Sequence, residues 1–246
     1  MQPIEELRED LAHRQRFMMM VAHEMRNLLV PLTCGVELLA STDESVAGRV
    51  RPAMSRQVSQ LRRLVEDLLD IAGSEQGLMR LCVASVDLRD VVTAAIEIAR
   101  PSIEAREHRL TLSPDPPDPA VIDGDLCRLT QALSNLLINA AKFTPPCGDI
   151  YVSLEYERPW VKMCVRDTGM GIAADLLPDI FNIYARPPRA PDGTRNSLGL
   201  GLAVARHLVE LHGGTLCAYS GGPGKGSEFV MRLPLAASCC SGAPID

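Results

Sequence analysis

The stretch "FMMMVAHEMRNLLVPLTCGVELL", residues 17–39, decides the first part of the fold. Its apolar residues recur at intervals of three, four, three, four and seven, at Met18, Val21, Met25, Leu28, Leu32 and Leu39. Gly35 occupies the remaining position of the repeat. A heptad repeat of this kind predicts a helix that packs along one seam against another helix.

A second heptad follows after a polar connection that contains Gly48. Its seam residues have a similar spacing: Met54, Val58, Leu61, Val65, Leu68 and Ala72. Two heptad helices joined by a short loop predict an antiparallel helical hairpin. Because a hairpin has too small a core to stand alone, two copies should combine into a four-helix bundle, and we predict a homodimer.

The chain of 246 residues is long enough for more than one domain, and its character changes near residues 75 to 82. Beyond that point helix and strand signals mix, which predicts an α+β sandwich with helices on one face of a mixed sheet. We therefore predict a hairpin over 16–76, an α+β domain over 80–236 and a disordered tail over 237–246. The charged residues 1–15 are predicted to be a helical linker from an upstream domain.

Single residues predict where two helices of the α+β domain begin and end. Asp87 precedes "LRDVVTAAIEIAR" and is expected to cap that helix at its N-terminus. Gly213 follows "LGLGLAVARHLVELH" and fits a C-terminal cap. Two strand pairs are expected to form hairpins, one over 149–167 and one over 214–235.

Composition excludes several classes of function. An aromatic content of 4% and a net charge of −6 argue against a nucleic-acid partner. No apolar run approaches the ~18 to 20 residues that a membrane span needs, so we expect no membrane contact by this segment. Most cysteines lie in apolar segments and none forms a Cys-x-x-Cys pair, which disfavours a zinc site and favours a reducing, cytoplasmic location.

The first heptad also predicts the setting of a histidine. With Met18 at position a, His23 falls at position f, furthest from the seam, and is predicted to be exposed. Asn27 lies one turn further on the same face, and Glu24 is expected to reach the same solvent region. An exposed neutral imidazole is a nucleophile, and a neighbouring carboxylate can take up its proton. The same residues also suit a solvated helix surface without a catalytic role.

Three later segments carry residue types that suit a nucleotide, and the first is "NLLINAAKFT". Asn135 and Asn139 lie one helical turn apart, and amide groups can bind Mg²⁺ or meet a phosphate. Lys142 adds a positive charge for phosphate. The alternative is a helix with polar positions on its exposed face.

The other two segments are "VRDTGMGI" and "NSLGLGLAVARHL". Asp167 ends a strand, where a buried carboxylate can accept a hydrogen bond from an amino group such as that of adenine. Gly169 and Gly171 would let the backbone come close to a flat ring. Gly199 and Gly201 lead into a helix whose N-terminus favours an anion. Either segment alone is also compatible with a plain turn.

In this order, the segments resemble the sensor histidine kinases of two-component systems. "HEMRN" is similar to the H box of that family, "NLLINAAKFT" to the N box and "DTGMGI" to the G1 box. "IFNIYAR" is similar to the F box, "LGLGL" to the G2 box and "GGPGKGSEFVMRLPL" to the closing hairpin. The resemblance extends from about residue 10 to residue 235.

This resemblance implies a dimerisation and phosphotransfer hairpin followed by a Bergerat-type ATP-binding domain. It implies that His23 is the phospho-acceptor, that Glu24 is the assisting base, and that Asn27 serves phosphatase activity. The phosphoryl group would pass to an aspartate on the receiver domain of a response regulator. The expected ligands are ATP and Mg²⁺, with Asn139 as the metal ligand. The other residues expected at the nucleotide are Asn135, Lys142, Phe143, Asp167, Gly169, Gly171, Tyr184, Arg186, Gly199, Leu200 and Gly201.

Departures from the family pattern leave alternatives open. Leu28 stands where the H box usually has proline, Tyr184 stands where the F box usually has phenylalanine, and the lid looks short. A dimeric scaffold that docks partners without phosphoryl transfer is therefore the alternative. ATP-hydrolysing relatives carry a water-activating glutamate where this chain has Asn135, which weighs against an ATPase. The exposed His23 weighs against a serine kinase.

Overall fold

The computed structural model describes residues 2–40, 44–75, 80–114, 119–182 and 200–236. The chain forms two compact units. Residues up to Gly77 belong to a helical unit, and the strands belong to the other unit. None of the helices in the described part of the chain combines the length and the apolar character needed to cross a membrane.

The helical unit is a hairpin of two long helices, α1 (Gln2–Leu39) and α2 (Glu44–Glu75). Gly48 lies inside α2, so the prediction that it belongs to the connection was wrong. α1 continues through Pro31. Val21 and Leu28 are buried in this unit, as the heptad predicts. A Cβ atom on Gly35 would lie 2.7 Å from Cγ of Met54, so the glycine provides the room in which the Met54 side chain packs against α1. Leu28, the departure from the H-box pattern, is therefore a core residue of the hairpin.

Within one chain, the predicted seam of α2 is only partly turned toward α1. Leu64, which lies outside that seam, is 8% exposed, whereas Val58 is 54% exposed and Val65 is 40% exposed. The physical reason is that a single neighbouring helix covers only one stripe of α2. The remaining heptad residues lie beside that stripe.

The second unit is an α+β domain, as predicted. Its elements are β1 (Ala84–Asp87), α3 (Leu88–Glu104), β2 (Arg109–Leu112), β3 (Val121–Gly124), α4 (Leu126–Phe143), β4 (Asp149–Glu157), β5 (Trp160–Asp167), α5 (Leu200–Leu211), β6 (Thr215–Tyr219) and β7 (Ser227–Pro234). β1 and β3 form an antiparallel ribbon. The main sheet has the order β2-β4-β5-β7-β6 and is mixed, because β2 and β4 are parallel while the other pairs are antiparallel.

The core of this unit lies on one face of the main sheet. Alternate residues of the central strands are buried there, among them Val152, Met163 and Phe229, while their neighbours such as Tyr151 point to the opposite face. Helices supply the other half of the core, with Leu133 on α4 among the fully buried side chains. This arrangement places the carboxyl end of β5 near the end of α4.

Both predicted caps are present. Asp87 is the N-cap of α3, and its carboxylate accepts a hydrogen bond from the Arg89 N–H. Gly213 has φ +70°, and its N–H donates to Glu210 O while the Gly214 N–H donates to Val209 O. These two bonds close α5 with a Schellman motif. β3 was not predicted, because its register is set by pairing with the distant β1.

Candidate functional site

His23 lies on the exposed surface of α1, as its heptad position predicts. The Asn27 side-chain amide lies one turn away, with its Nδ2 atom 3.0 Å from His23 Nδ1. The i, i+4 spacing brings the two side chains onto one helix face. Asn27 therefore contacts one nitrogen of the imidazole ring, Nδ1, and the other ring nitrogen is Nε2.

Glu24 does not share that exposed face. Its side chain is buried, with 4% of the residue exposed, which contradicts the expectation that it reaches the same solvent region. The reason is that Glu24 follows Val21 by three positions and precedes Leu28 by four, so all three residues lie on the stripe that faces α2.

The N-box residues lie along α4, which begins at its N-cap Asp125. Asn135 and Asn139 are half-buried beside the fully buried core positions of this helix. Asn135 Nδ2 donates a hydrogen bond to the Gly201 carbonyl at 3.2 Å, which ties α4 to the first turn of α5. Lys142 lies in the last turn, with Nζ 4.9 Å from the centre of the Phe143 ring.

Asp167 is the buried acid of the candidate nucleotide site. It ends β5 with 4% of the residue exposed. Its Oδ1 accepts a hydrogen bond from the Gly169 N–H at 2.7 Å, and its Oδ2 accepts one from the Ser227 hydroxyl. Burial raises the pKa of the Asp167 carboxyl, and the hydrogen bonds from Ser227 and Gly169 oppose that rise. The carboxyl is thus a fixed acceptor in an enclosed place.

The protein around positions 169 and 171 leaves no room for a side chain larger than that of glycine. A Cβ atom on Gly169 would lie 2.6 Å from the Phe143 carbonyl oxygen. Gly171 has φ +68°, and a Cβ atom there would lie 2.1 Å from the Gly222 carbonyl oxygen. The sequence predicts a close approach of a flat ring at these glycines, and the structure adds close approaches by the end of α4 and by the β6–β7 connection.

The structure brings the N-box, G1 and G2 segments together in one unit. The Met170 N–H donates to the Phe143 carbonyl at 3.1 Å, which joins the G1 loop to the end of α4. The Asn135 bond to Gly201 joins α4 to the G2 segment. Segments that are distant in sequence thus line one region of the α+β domain.

Some of the predicted residues cannot be placed in this region. Tyr184, Arg186 and Gly199 lie outside the described residues. Leu200 is the first residue of α5 and is 2% exposed. Its side chain is therefore buried, and only its backbone remains a candidate for contact with a phosphate.

Ser227 is a functional candidate that the sequence argument missed. Its hydroxyl donates to the Asp167 carboxylate, and the two residues are direct partners in the antiparallel pairing of β5 with β7. The signal was present in the closing segment "KGSEFVM", where a hydroxyl residue begins the last strand. What the sequence lacked was the register that places this residue opposite Asp167.

Metal binding in this region would depend on amide oxygens. In the part of the chain that the structure describes, no group of three or more His, Cys, Asp or Glu side chains is placed to hold a metal ion. Mg²⁺ commonly takes few protein ligands and completes its shell with water and substrate phosphates. The half-buried amide of Asn139 fits that mode of binding.

Comparisons with known proteins agree with this geometry. Residues 13–77 match the family described as His Kinase A (phospho-acceptor) domain. Residues 124–237 match the family described as Histidine kinase-, DNA gyrase B-, and HSP90-like ATPase. The chain therefore belongs to the histidine kinase family, and its two units carry the two domains of a protein-histidine kinase.

Individual relatives cover nearly all of this chain. The adaptive-response sensory kinase SasA of Thermosynechococcus vestitus is 32% identical over 242 residues, which are 93% of this chain and 62% of that relative. This chain thus spans less than two thirds of the length of SasA.

Solved structures share the fold. The histidine kinase AdeS of Acinetobacter baumannii has a TM-score of 0.62 at 23% identity, over 87% of this chain and 98% of that one. Full-length ShkA in complex with AMPPNP has a TM-score of 0.64 at 24% identity, over 90% of this chain and 46% of that one.

Proposed function

We propose that this chain is an ATP-dependent protein kinase that phosphorylates itself on His23 and passes the phosphoryl group to an aspartate on the receiver domain of a response regulator. The observation that carries the proposal is that one chain of this family has both an exposed His23 in its helical unit and the enclosed Asp167 site in its α+β unit. His23 offers a solvent-facing ring nitrogen on α1, and the Asp167 region offers an enclosed acceptor and closely packed glycines.

ATP is the nucleotide that suits this site. The Asp167 carboxylate accepts a hydrogen bond from the adenine amino group, and the Gly169 and Gly171 backbone borders the ring. Lys142 supplies positive charge to the phosphates, and Asn139 supplies an amide oxygen to Mg²⁺. Bound Mg²⁺ would neutralise negative charge on the phosphates. Full-length ShkA, whose fold this chain shares, was solved in complex with AMPPNP, which supports a nucleotide as the ligand.

The transfer step needs one nucleophilic nitrogen and one proton acceptor. Nε2 of His23 forms a bond to the γ-phosphorus of ATP as the bond from that phosphorus to the bridging oxygen breaks, and ADP leaves with the bond electrons. Attack by Nε2 requires the tautomer with the ring proton on Nδ1, in which the Asn27 amide presents its oxygen rather than its nitrogen to Nδ1, and the imidazole then loses that proton. Glu24 is the acceptor that we propose, once its side chain rotates out of the stripe that faces α2. Asn27 releases Nδ1 in that rearrangement and can later orient water for phosphatase activity toward the receiver domain.

Asn135 favours transfer to a side chain over hydrolysis. An amide cannot act as a general base, and the Asn135 amide is already bonded to the Gly201 carbonyl. A water molecule beside it therefore gains no activation, so the delivered imidazole is the better acceptor. Phosphoryl transfer then depends on positioning and charge stabilisation.

The hairpin is proposed to act as a homodimer. Apolar side chains remain uncovered on both of its helices, with Met18 64% exposed, Val58 54% and Leu69 66%. Uncovered apolar area on two helices suits packing against the same area of a second copy, which gives a four-helix bundle.

We place the reaction in the cytoplasm, where ATP and receiver domains are available.

Labelling with γ-labelled ATP tests the proposal. Wild-type protein should acquire a phosphate that is labile in acid and stable in alkali, and this label should pass to a receiver domain. His23→Gln should abolish the label, whereas His13→Gln, which changes another histidine of the same helix, should keep it. Equal labelling of His23→Gln and wild type would show that His23 is not the acceptor.

A further inference from the structure

The C-terminus of α4 receives hydrogen bonds from several donors outside the helix. The last carbonyl groups of a helix have no partner within the helix and need donors from elsewhere. Here the Ala140 carbonyl accepts from the Thr144 N–H and hydroxyl, and the Ala141 carbonyl accepts from His108 Nε2. The Phe143 carbonyl accepts from the Met170 N–H. The end of α4 is therefore held from several directions.

The remaining donor is Arg106, which the nucleotide site as described does not include. Its Nη1 atom donates to the Lys142 carbonyl at 2.8 Å and to the Thr144 carbonyl at 3.3 Å. A guanidinium at this place also matches the negative end of the helix dipole. Both acceptors flank Phe143, whose carbonyl holds the G1 loop.

The backbone around Arg106 is fixed so that its side chain reaches α4. Glu107 has φ +56°, which turns the chain sharply between α3 and β2. The Arg106 carbonyl accepts from the Cys147 N–H at 2.9 Å, which joins this turn to the α4–β4 connection. The backbone at Arg106 is therefore held by the turn at Glu107 and by the bond from Cys147, and the half-buried Arg106 side chain extends from there to the end of α4.

We propose that Arg106 is a positioning residue for ATP binding. It holds the last turn of α4, and through that turn it fixes Lys142 and the Met170 end of the G1 loop. The inference rests on the proposed nucleotide site. Without the guanidinium, the last turn of α4 would populate other arrangements, and ATP would bind only the fraction that keeps the native one.

The Kd of Mg-ATP for the full chain, measured by calorimetry, tests this inference. Arg106→Met should raise the Kd about tenfold, the equivalent of one hydrogen bond from a charged donor, with the binding stoichiometry unchanged. Arg106→Lys keeps a charged donor and should restore the Kd to within about threefold of wild type. Arg109→Met is the matched control, because Arg109 in the same segment pairs with Asp149 on the surface at 2.6 Å. It should leave the Kd within about twofold of wild type.

Two results would overturn the inference. If Arg106→Met lowers the stoichiometry but leaves the Kd unchanged, Arg106 serves only the folding of the domain. If Arg109→Met weakens binding as much as Arg106→Met, the loss reflects general charge. Wild-type protein that binds Mg-ATP but does not label His23 would instead contradict the proposed function and leave the role of Arg106 intact.

Discussion

Replacement of Ser227 by alanine should make ATP binding depend on pH. The Ser227 hydroxyl donates to Oδ2 of the buried Asp167, and that bond opposes the effect of burial on the pKa of the carboxyl. Without it the pKa of Asp167 rises further. The carboxyl then holds its proton to a higher pH, and the protonated form is the weaker acceptor for the adenine amino group.

The size of the effect follows from the bond that is removed. A hydrogen bond to a charged group contributes about 1.5–3 kcal/mol, and its removal should raise the pKa of Asp167 further. Where wild-type Asp167 is ionised and the variant is protonated, the Kd of ATP should increase by about tenfold or more. At a pH high enough to ionise Asp167 in both proteins, the two affinities should converge.

Calorimetric titration with Mg-ATP between pH 5.5 and pH 8.5 would measure this. Ser227→Thr is the control, because it keeps a hydroxyl at the same position and should follow the wild-type profile. Asp167→Asn should bind weakly with little dependence on pH. Weaker binding of Ser227→Ala by the same factor at every pH would contradict this prediction, because the loss would then be independent of Asp167 titration.

Three further predictions concern the stability of the two units. Gly171→Ala should lower the free energy of unfolding of the α+β domain by about 2 kcal/mol or more, because φ is +68° and the new Cβ would lie 2.1 Å from Gly222 O. A denaturant titration that finds wild-type stability for this variant would contradict the prediction. Burial and the Asp70 and Glu66 charges raise the pKa of Asp67 to about 7. The folded protein therefore holds a proton on Asp67 that the unfolded chain has already lost, and this contribution to stability is present at low pH and is lost as the pH rises through 7. The free energy of unfolding of the wild-type hairpin should fall by about 3 kcal/mol between pH 5 and pH 8, and that of Asp67→Asn should fall by less. If the free energy of unfolding of Asp67→Asn depends on pH as steeply as that of wild type, Asp67 is excluded as the source. Gly48→Ala, at a helical position with open space around it, should raise the melting temperature of the hairpin through a gain of about 0.5–1 kcal/mol, and a fall would show that the position is crowded.

Most of the architecture follows from local sequence patterns. Heptad spacing defined the hairpin and placed His23 on its surface, because a helical period converts position directly into direction. Local chemistry defined the caps at Asp87 and Gly213, since each cap depends on groups a few residues away. The nucleotide segments were recognisable for the same reason, because each consists of neighbouring residues.

The relations between distant segments are set by tertiary packing and strand register. The burial of Glu24 depends on which stripe of α1 faces α2, and the bond from Ser227 to Asp167 depends on the register of β7 against β5. The reach of Arg106 to the end of α4 depends on a turn at Glu107 that no local pattern signals. Such contacts join residues that are far apart in sequence, and their geometry is fixed only when the whole core is packed.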